Sequence, residues 1–310
     1  MTNEANIITV DLKDFDSQDP AARAKFVDDI GRACNDIGFV AISNHYLSDE
    51  LQARAYEQVS AFFSMPMDTK HKYIVEGARG QRGYSSIGTE QAVGAEVPDL
   101  KEFWQHGREA VAANPMVEEL PAFSEVCHEI YDALERTGRT LLRGIALYLN
   151  LEEDYFEPRV EGGQSIIRCI HYPPITQEPT SAVRAAQHED INLITLLMGA
   201  SAGGLEILTK SGEWLGITAL PGQLVVNIGD MLQRLTNGVL KSTTHRVVNP
   251  PREQWGESRF SIPFFLHPRA DVSLACLPQT ITADNPKQFE DMTAGEYLNE
   301  RLEAIRKKST

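Results

Sequence analysis

The segment Ala185–Met198 reads "AAQHEDINLITLLM" and places two side chains of kinds that bind metal ions directly before an apolar run. His188 and Asp190 are two residues apart, and on an extended chain such residues face the same side. Glu189 between them is expected to point away. The apolar residues that follow predict a buried strand, so the pair is expected to stand at the edge of a packed core.

A third candidate ligand, His245, occurs further along the chain in "STTHRVVNP" at residues 242–250. His245 lies on another predicted strand, and a ligand from a separate strand is needed because two neighbouring residues cannot occupy a whole face of an octahedron. Two imidazoles and one carboxylate form the facial triad that holds non-haem Fe(II) and leaves coordination positions open. The same ligand set also accommodates zinc, which would favour hydrolysis.

An arginine and a serine follow in "SRFSIPFF" at residues 258–265. The period of two puts Arg259 and Ser261 on one face of this strand. A guanidinium inside a strand-lined cavity needs an anionic partner, and a ligand carboxylate bound through two hydrogen bonds is the natural candidate. Tyr172, in "CIHYPP", is a further donor to such a carboxylate. Arg168 shares the face of Tyr172 and is a candidate substrate contact.

The pattern of the chain predicts a mainly β fold with flanking helices. Short apolar runs separated by Gly, Pro, Asn and Asp follow residue 165 and indicate an antiparallel sandwich or barrel. We expect a single catalytic domain over residues 1–310, in which residues 1–160 form a mostly helical support and residues 165–270 form the core with the metal site. A capping box of Thr293 and Glu296 predicts a C-terminal helix within residues 290–308.

Residues 78–107 are rich in Gly, Ser and Thr, and we expect a long loop that lines a pocket. The aromatic side chains Tyr84 and Phe103 in this segment join Arg168 as candidate substrate contacts.

Composition narrows the classes of partner. The net charge of −15, without a long run of Lys or Arg, argues against binding to nucleic acid or to an anionic membrane. No apolar run approaches the length of a membrane span, and the first residues do not resemble a signal peptide. Four scattered cysteines without a Cys-x-x-Cys pair predict reduced thiols and a cytoplasmic location. A small-molecule partner is therefore expected, and the sequence carries no signal for an oligomeric state.

The ordered set of motifs resembles the isopenicillin N synthase-like family of 2-oxoglutarate/Fe(II)-dependent oxygenases. Besides the ligand pattern, it includes "GFVAISNH", "FFSMPMDTKHKY", "HYPP", "INLITLL", "LVVNIGD" and "LTNG", which cover nearly the whole chain. The resemblance implies a double-stranded β-helix (jelly-roll) core, with Fe(II), 2-oxoglutarate and O2 as cofactor and cosubstrates. The implied iron ligands are His188, Asp190 and His245. The residues implied to bind the distal carboxylate of 2-oxoglutarate are Tyr172, Arg259 and Ser261.

The implied reaction is hydroxylation of a small organic substrate, or its desaturation or cyclisation, with release of succinate and CO2. Two alternatives stay open. Some family members use no 2-oxoglutarate, and in them the Arg259/Ser261 pair would bind the carboxylate of the substrate itself. A non-catalytic jelly-roll protein that senses a small acid is the other. One position departs from the family pattern: Ile170 stands where plant members often carry an asparagine that helps to hold the cosubstrate.

Overall fold

Twelve strands and eight α-helices form the part of the chain that the computed structural model describes, namely residues 7–78, 80–89, 99–176, 183–199, 203–218 and 220–306. The strands are β1 (Thr9–Asp11), β2 (Phe39–Ser43), β3 (Gly83–Ser85), β4 (Glu102–Gly107), β5 (Ile166–Tyr172), β6 (Ala185–His188), β7 (Ile194–Met198), β8 (Leu205–Leu208), β9 (Trp214–Gly216), β10 (Leu224–Ile228), β11 (His245–Val247) and β12 (Arg259–Leu266). The helices are α1 (Leu12–Phe15), α2 (Pro20–Asp36), α3 (Asp49–Phe63), α4 (Met67–His71), α5 (Pro121–Tyr148), α6 (Glu157–Val160), α7 (Asp230–Leu235) and α8 (Ala294–Arg306).

The strands form two sheets. The major sheet has the order β1-β2-β10-β7-β12-β5-β4-β3, and the minor sheet has the order β6-β11-β8-β9. All pairings are antiparallel except that of β1 with β2. Side chains of both sheets pack together in two buried clusters, one around Phe103 and Tyr172 and one around Phe39 and Val225. This is the jelly-roll core with flanking helices that the sequence predicts.

The outer face of the major sheet packs against the helices. Alternation along β5 illustrates the division, because Ile167 and Cys169 belong to the large helical core while Ile170 and Tyr172 belong to a cluster between the sheets. Helices α2 and α3 both pack on the long helix α5, which crosses the outer face. The helices thus cover the outer face of the major sheet, and its inner face, which is directed toward the minor sheet, is available for a site.

Local sequence signals set the ends of several helices. The Ser48 side chain accepts a hydrogen bond from the backbone N–H of Leu51 at the start of α3, a common role for serine at the N-cap of a helix. At the start of α8 the Thr293 N–H donates to Glu296 (2.7 Å), and the Glu296 N–H donates to the Thr293 hydroxyl (3.2 Å). The predicted capping box is therefore present.

The expectation of one long loop over residues 78–107 is wrong for the described part of that segment. Residues 83–85 and 102–107 form β3 and β4, and β4 extends the major sheet by pairing with β5. Residues 79 and 90–98 lie outside the described residues. The Gly- and Ser-rich composition concealed these strands because strand pairing, of β4 with β5 and of β3 with β4, holds them in the sheet rather than local propensity.

No helix among the described residues combines the length and the apolar character that crossing a bilayer requires.

Candidate metal centre and cosubstrate pocket

Three side chains from the minor sheet converge on one point. His188 ends β6, Asp190 follows it, and His245 begins β11. One ligand atom from each lies within 4.8 Å of the others. The Asp190 Oδ1 atom is 3.9 Å from the His188 Nε2 and 3.8 Å from the His245 Nε2. This spacing suits three ligands of a single ion, as the sequence predicts.

The pairing of β6 with β11 creates this convergence. His188 and His245 are direct cross-strand partners, and their ring centroids are 4.4 Å apart. Glu189 points elsewhere, as expected, and accepts a hydrogen bond from the Thr244 hydroxyl at 2.5 Å. The antiparallel register therefore brings two histidines that are far apart along the chain into contact.

Backbone carbonyls set the tautomers of both imidazoles. The His188 Nδ1 lies 2.7 Å from the Ala186 carbonyl oxygen, and the His245 Nδ1 lies 3.1 Å from the Thr243 carbonyl oxygen. A carbonyl oxygen only accepts, so each Nδ1 carries the proton and each Nε2 presents a lone pair. Such contacts orient metal-binding histidines and raise their basicity as ligands.

The Asp190 carboxylate is held by two donors from the major sheet. The Thr195 hydroxyl (2.6 Å) and the Asn227 side-chain amide (2.8 Å) both donate to Oδ2, which leaves Oδ1 directed at the imidazoles. Thr195 and Asn227 are cross-strand partners on β7 and β10. No sequence pattern marks either residue as part of the site, although both lie on predicted strands.

Electrostatics favour the charge states that a divalent cation needs. Partial desolvation, and then the neighbouring imidazole of His245, lower the pKa of His188 to about 4, so that its ring is neutral at pH 7. Burial opposes ionisation of Asp190, but the two histidines and the two hydrogen-bond donors outweigh it and lower the pKa of the carboxyl. One carboxylate oxygen and two imidazole nitrogens fit Fe(II).

The predicted carboxylate-binding residues lie on the inner face of the major sheet. Arg259 and Tyr172 are cross-strand partners on β12 and β5, and the Arg259 guanidinium lies 5.0 Å from the centroid of the Tyr172 ring. Arg259 is 1% exposed and Ser261 is 4% exposed. The Arg259 Nε donates to the Gly203 carbonyl at 3.2 Å, which fixes one edge of the guanidinium. The structure thus brings all three residues to one buried patch that faces the minor sheet.

Two of the three candidate substrate contacts lie together further along the same face. The Arg168 guanidinium lies 4.4 Å from the centroid of the Phe103 ring and 5.5 Å from that of Phe265. Ile170, between Arg168 and Tyr172, packs in the same cluster as Phe103. An apolar side chain therefore occupies the position at which the sequence departs from the family pattern. Phe265 was not predicted as a site residue, although it lies on the same period-two face of β12 as Arg259 and Ser261.

Tyr84 is not part of this group. It pairs with Trp104 on the outer face of the major sheet, its ring packs 6.1 Å from that of Phe62, and its hydroxyl donates to Glu102. Phe103 faces inward and Tyr84 outward because adjacent positions on paired strands alternate between the two faces. The candidate contact of Tyr84 with substrate finds no support in this placement.

Comparison with known proteins agrees with this geometry. Residues 7–123 match the model of the non-haem dioxygenase in morphine synthesis N-terminal family, and residues 163–268 match that of the 2OG-Fe(II) oxygenase superfamily. The chain is similar to a 2-oxoglutarate-Fe(II) type oxidoreductase, hxnY, of Emericella nidulans, with 31% identity over 96% of this chain and 92% of the relative. It is also similar to the proline hydroxylase buaE of Petromyces alliaceus, with 32% identity over 94% of this chain and 97% of the relative.

Solved structures give the same result. A 2OG-Fe(II) oxygenase family protein from Caulobacter crescentus superposes with a TM-score of 0.87 at 43% identity, covering 97% of this chain and 99% of that one. A full-length Neurospora crassa protein, solved in complex with alpha-KG and thymine, superposes with a TM-score of 0.87 at 28% identity, covering 96% of each chain.

Proposed function

This chain belongs to the 2OG-Fe(II) oxygenase superfamily, and on that premise we propose a role for each residue of its site. It is an Fe(II)- and 2-oxoglutarate-dependent oxygenase that acts on a small organic substrate. We propose that the iron ligands are His188, Asp190 and His245. We propose that the residues that bind the distal carboxylate of 2-oxoglutarate are Tyr172, Arg259 and Ser261.

The observation that carries the proposal is the arrangement of two sets of residues on facing sheets. His188 and His245 lie on the paired strands β6 and β11 of the minor sheet, and Asp190 directly follows β6. Arg259 lies on the inner face of the major sheet. Bound Fe(II) would supply the activation of O2 that an unactivated C–H bond requires. The protein residues hold the ligand geometry, neutralise the distal carboxylate, and exclude water from the space between the sheets.

The open alternatives are less well supported. The Neurospora neighbour was solved with alpha-KG, and the Emericella relative is described as a 2-oxoglutarate-Fe(II) type enzyme, so an oxidase without 2-oxoglutarate is not favoured. A sensor would not require the complete ligand set with both tautomers fixed and the carboxylate supported by two donors.

For the substrate, we propose a small, flat molecule that carries an anionic or hydrogen-bond-accepting group. The Arg168 guanidinium lies near the rings of both Phe103 and Phe265. A cation grouped with aromatic rings favours a planar ligand that carries an anionic or accepting group. The Neurospora neighbour, whose solved complex contains thymine, is an example of a planar ligand in a structure of this fold. Hydroxylation is the reaction that we propose, ahead of desaturation or cyclisation.

Succinate release tests the proposed function. Protein reconstituted anaerobically with Fe(II) is screened against small carboxylates, amino acids and planar heterocycles, with and without 2-oxoglutarate. We expect turnover that requires Fe(II), O2 and 2-oxoglutarate together. His188→Ala should abolish coupled turnover, whereas His71→Ala, which changes an exposed histidine, should retain it. Turnover supported by zinc alone, or product formation without 2-oxoglutarate, would contradict the proposal.

The substrate contact is tested separately. Arg168→Met should raise the KM for the substrate and leave the KM for 2-oxoglutarate unchanged, because Arg168 stands apart from the Arg259 patch on the same face. Arg252→Met, a change of an exposed arginine, is the matched control. An equal rise in both KM values would show that Arg168 supports the fold rather than the substrate.

We also propose a single catalytic domain, in which the helical layer supports the jelly roll, and a cytoplasmic location. All four cysteines are buried free thiols, which agrees with a reducing compartment.

A further inference from the structure

Arg184 is a second buried arginine beside the Arg259 patch, and no sequence pattern marks it. The residue directly precedes β6 and is 2% exposed. Its Nη2 atom donates to the Glu257 carbonyl at 3.2 Å. Within the described part of the chain, Arg184 forms no ion pair with a carboxylate. A buried guanidinium in this situation is costly unless an anion compensates it.

The two arginines share one neighbour. The Arg184 guanidinium lies 5.9 Å from the centroid of the Tyr172 ring, and the Arg259 guanidinium lies 5.0 Å from the same centroid. Burial, and then the positive charge of Arg259, lower the pKa of Arg184, because the two like charges repel each other. The guanidinium groups of Arg184 and Arg259 therefore lie beside the same buried Tyr172 ring and repel each other. An anion bound between them would be strongly stabilised.

We propose that Arg184 is a positioning residue for 2-oxoglutarate, which together with Arg259 creates the positive field that receives the distal carboxylate beside Tyr172. This inference rests on the proposed role of Arg259. Arg259 makes the direct contact, whereas Arg184 acts through its charge and by holding the Glu257 carbonyl, two residues before Arg259. The pocket is thereby matched to a dicarboxylic 2-oxo acid and disfavours a monocarboxylic one.

Binding of two 2-oxo acids tests this inference. Dissociation constants of 2-oxoglutarate and of 2-oxobutyrate, which lacks the distal carboxylate, are measured anaerobically by calorimetry on the Fe(II)-loaded protein. Arg184→Gln should raise the Kd of 2-oxoglutarate by about five- to tenfold, the order expected for one charge acting across a protein interior. The Kd of 2-oxobutyrate should not change. Arg184→Lys retains the charge and should stay within about twofold of the wild type.

The thermal stability of the ligand-free protein distinguishes an electrostatic role of Arg184 from a structural one. Because Arg184→Gln removes a repulsion with Arg259, the Tm of the ligand-free protein should hold or rise. Equal weakening of both acids, or a lower Tm with an unchanged Kd for 2-oxoglutarate, would overturn the inference and leave Arg184 as a support of the Glu257 turn. Arg259→Met distinguishes failure of this inference from failure of the proposed function. If this variant leaves the Kd of 2-oxoglutarate unchanged, the proposed cosubstrate site is itself refuted.

Discussion

Replacement of Asn227 by leucine removes one of the two side-chain donors to the Asp190 carboxylate and nearly preserves the side-chain volume. The lost contact joins the Asn227 amide nitrogen to the Asp190 Oδ2 at 2.8 Å. A hydrogen bond to a charged group contributes about 1.5–3 kcal/mol. The Thr195 hydroxyl still donates at 2.6 Å, so the carboxylate keeps one support and loses part of its fixed orientation.

We therefore expect Asn227→Leu to weaken Fe(II) binding by about 10–100-fold, the range for loss of a group that orients a metal ligand. The Kd is measured anaerobically by competition with a chelator of known affinity, with circular dichroism to verify the fold. Thr195→Val should have a comparable effect, and the double variant should lose more than either alone. A folded Asn227→Leu protein with a Kd within about twofold of the wild type would refute the reasoning that these donors tune the metal site.

Three further predictions concern the rest of the molecule. Burial, and then His128, lower the pKa of His106 from 6.5 to about 4, so its stabilising contribution is complete above pH about 6.5 and is lost as pH falls toward 4; His106→Gln should remove up to about 3 kcal/mol of that acid sensitivity in urea titrations. Lys70→Met removes the ammonium that lies 2.9 Å from the buried Glu102 carboxylate, which keeps its contacts with His171 and Tyr84, and should cost about 3 kcal/mol of unfolding free energy. Gly229→Ala would place a methyl group 2.2 Å from the Asn192 carbonyl oxygen and should cost about 1–3 kcal/mol.

Each of these changes has a matched control. Lys72→Met breaks an exposed ion pair with Glu119 and should cost less than about 1 kcal/mol. Gly256→Ala meets no atom within 4 Å and should be close to neutral. His128→Gln, a change of an exposed histidine, should leave most of the acid sensitivity in place. If any control matched its test variant, the assigned cause of that prediction would be wrong.

The sequence by itself determined the parts of the protein that depend on local periodicity. Alternation over two residues places His188 with Asp190 and Arg259 with Ser261, because side chains on any extended strand alternate between two faces. Helix capping at Ser48 and at Thr293 is likewise a contact within four residues. Such features are predictable because the atoms involved lie close together along the chain.

The tertiary structure alone decided which of these local faces meet. The cross-strand register of His188 with His245 and the donation of Thr195 and Asn227 to Asp190 depend on pairings between distant segments. The same holds for Tyr84, whose outward face follows from the register of β3 on β4, and for Arg184, which no local pattern marks as buried. Strand register and sheet packing are set by the burial of the whole core, so a short stretch of sequence carries no record of them.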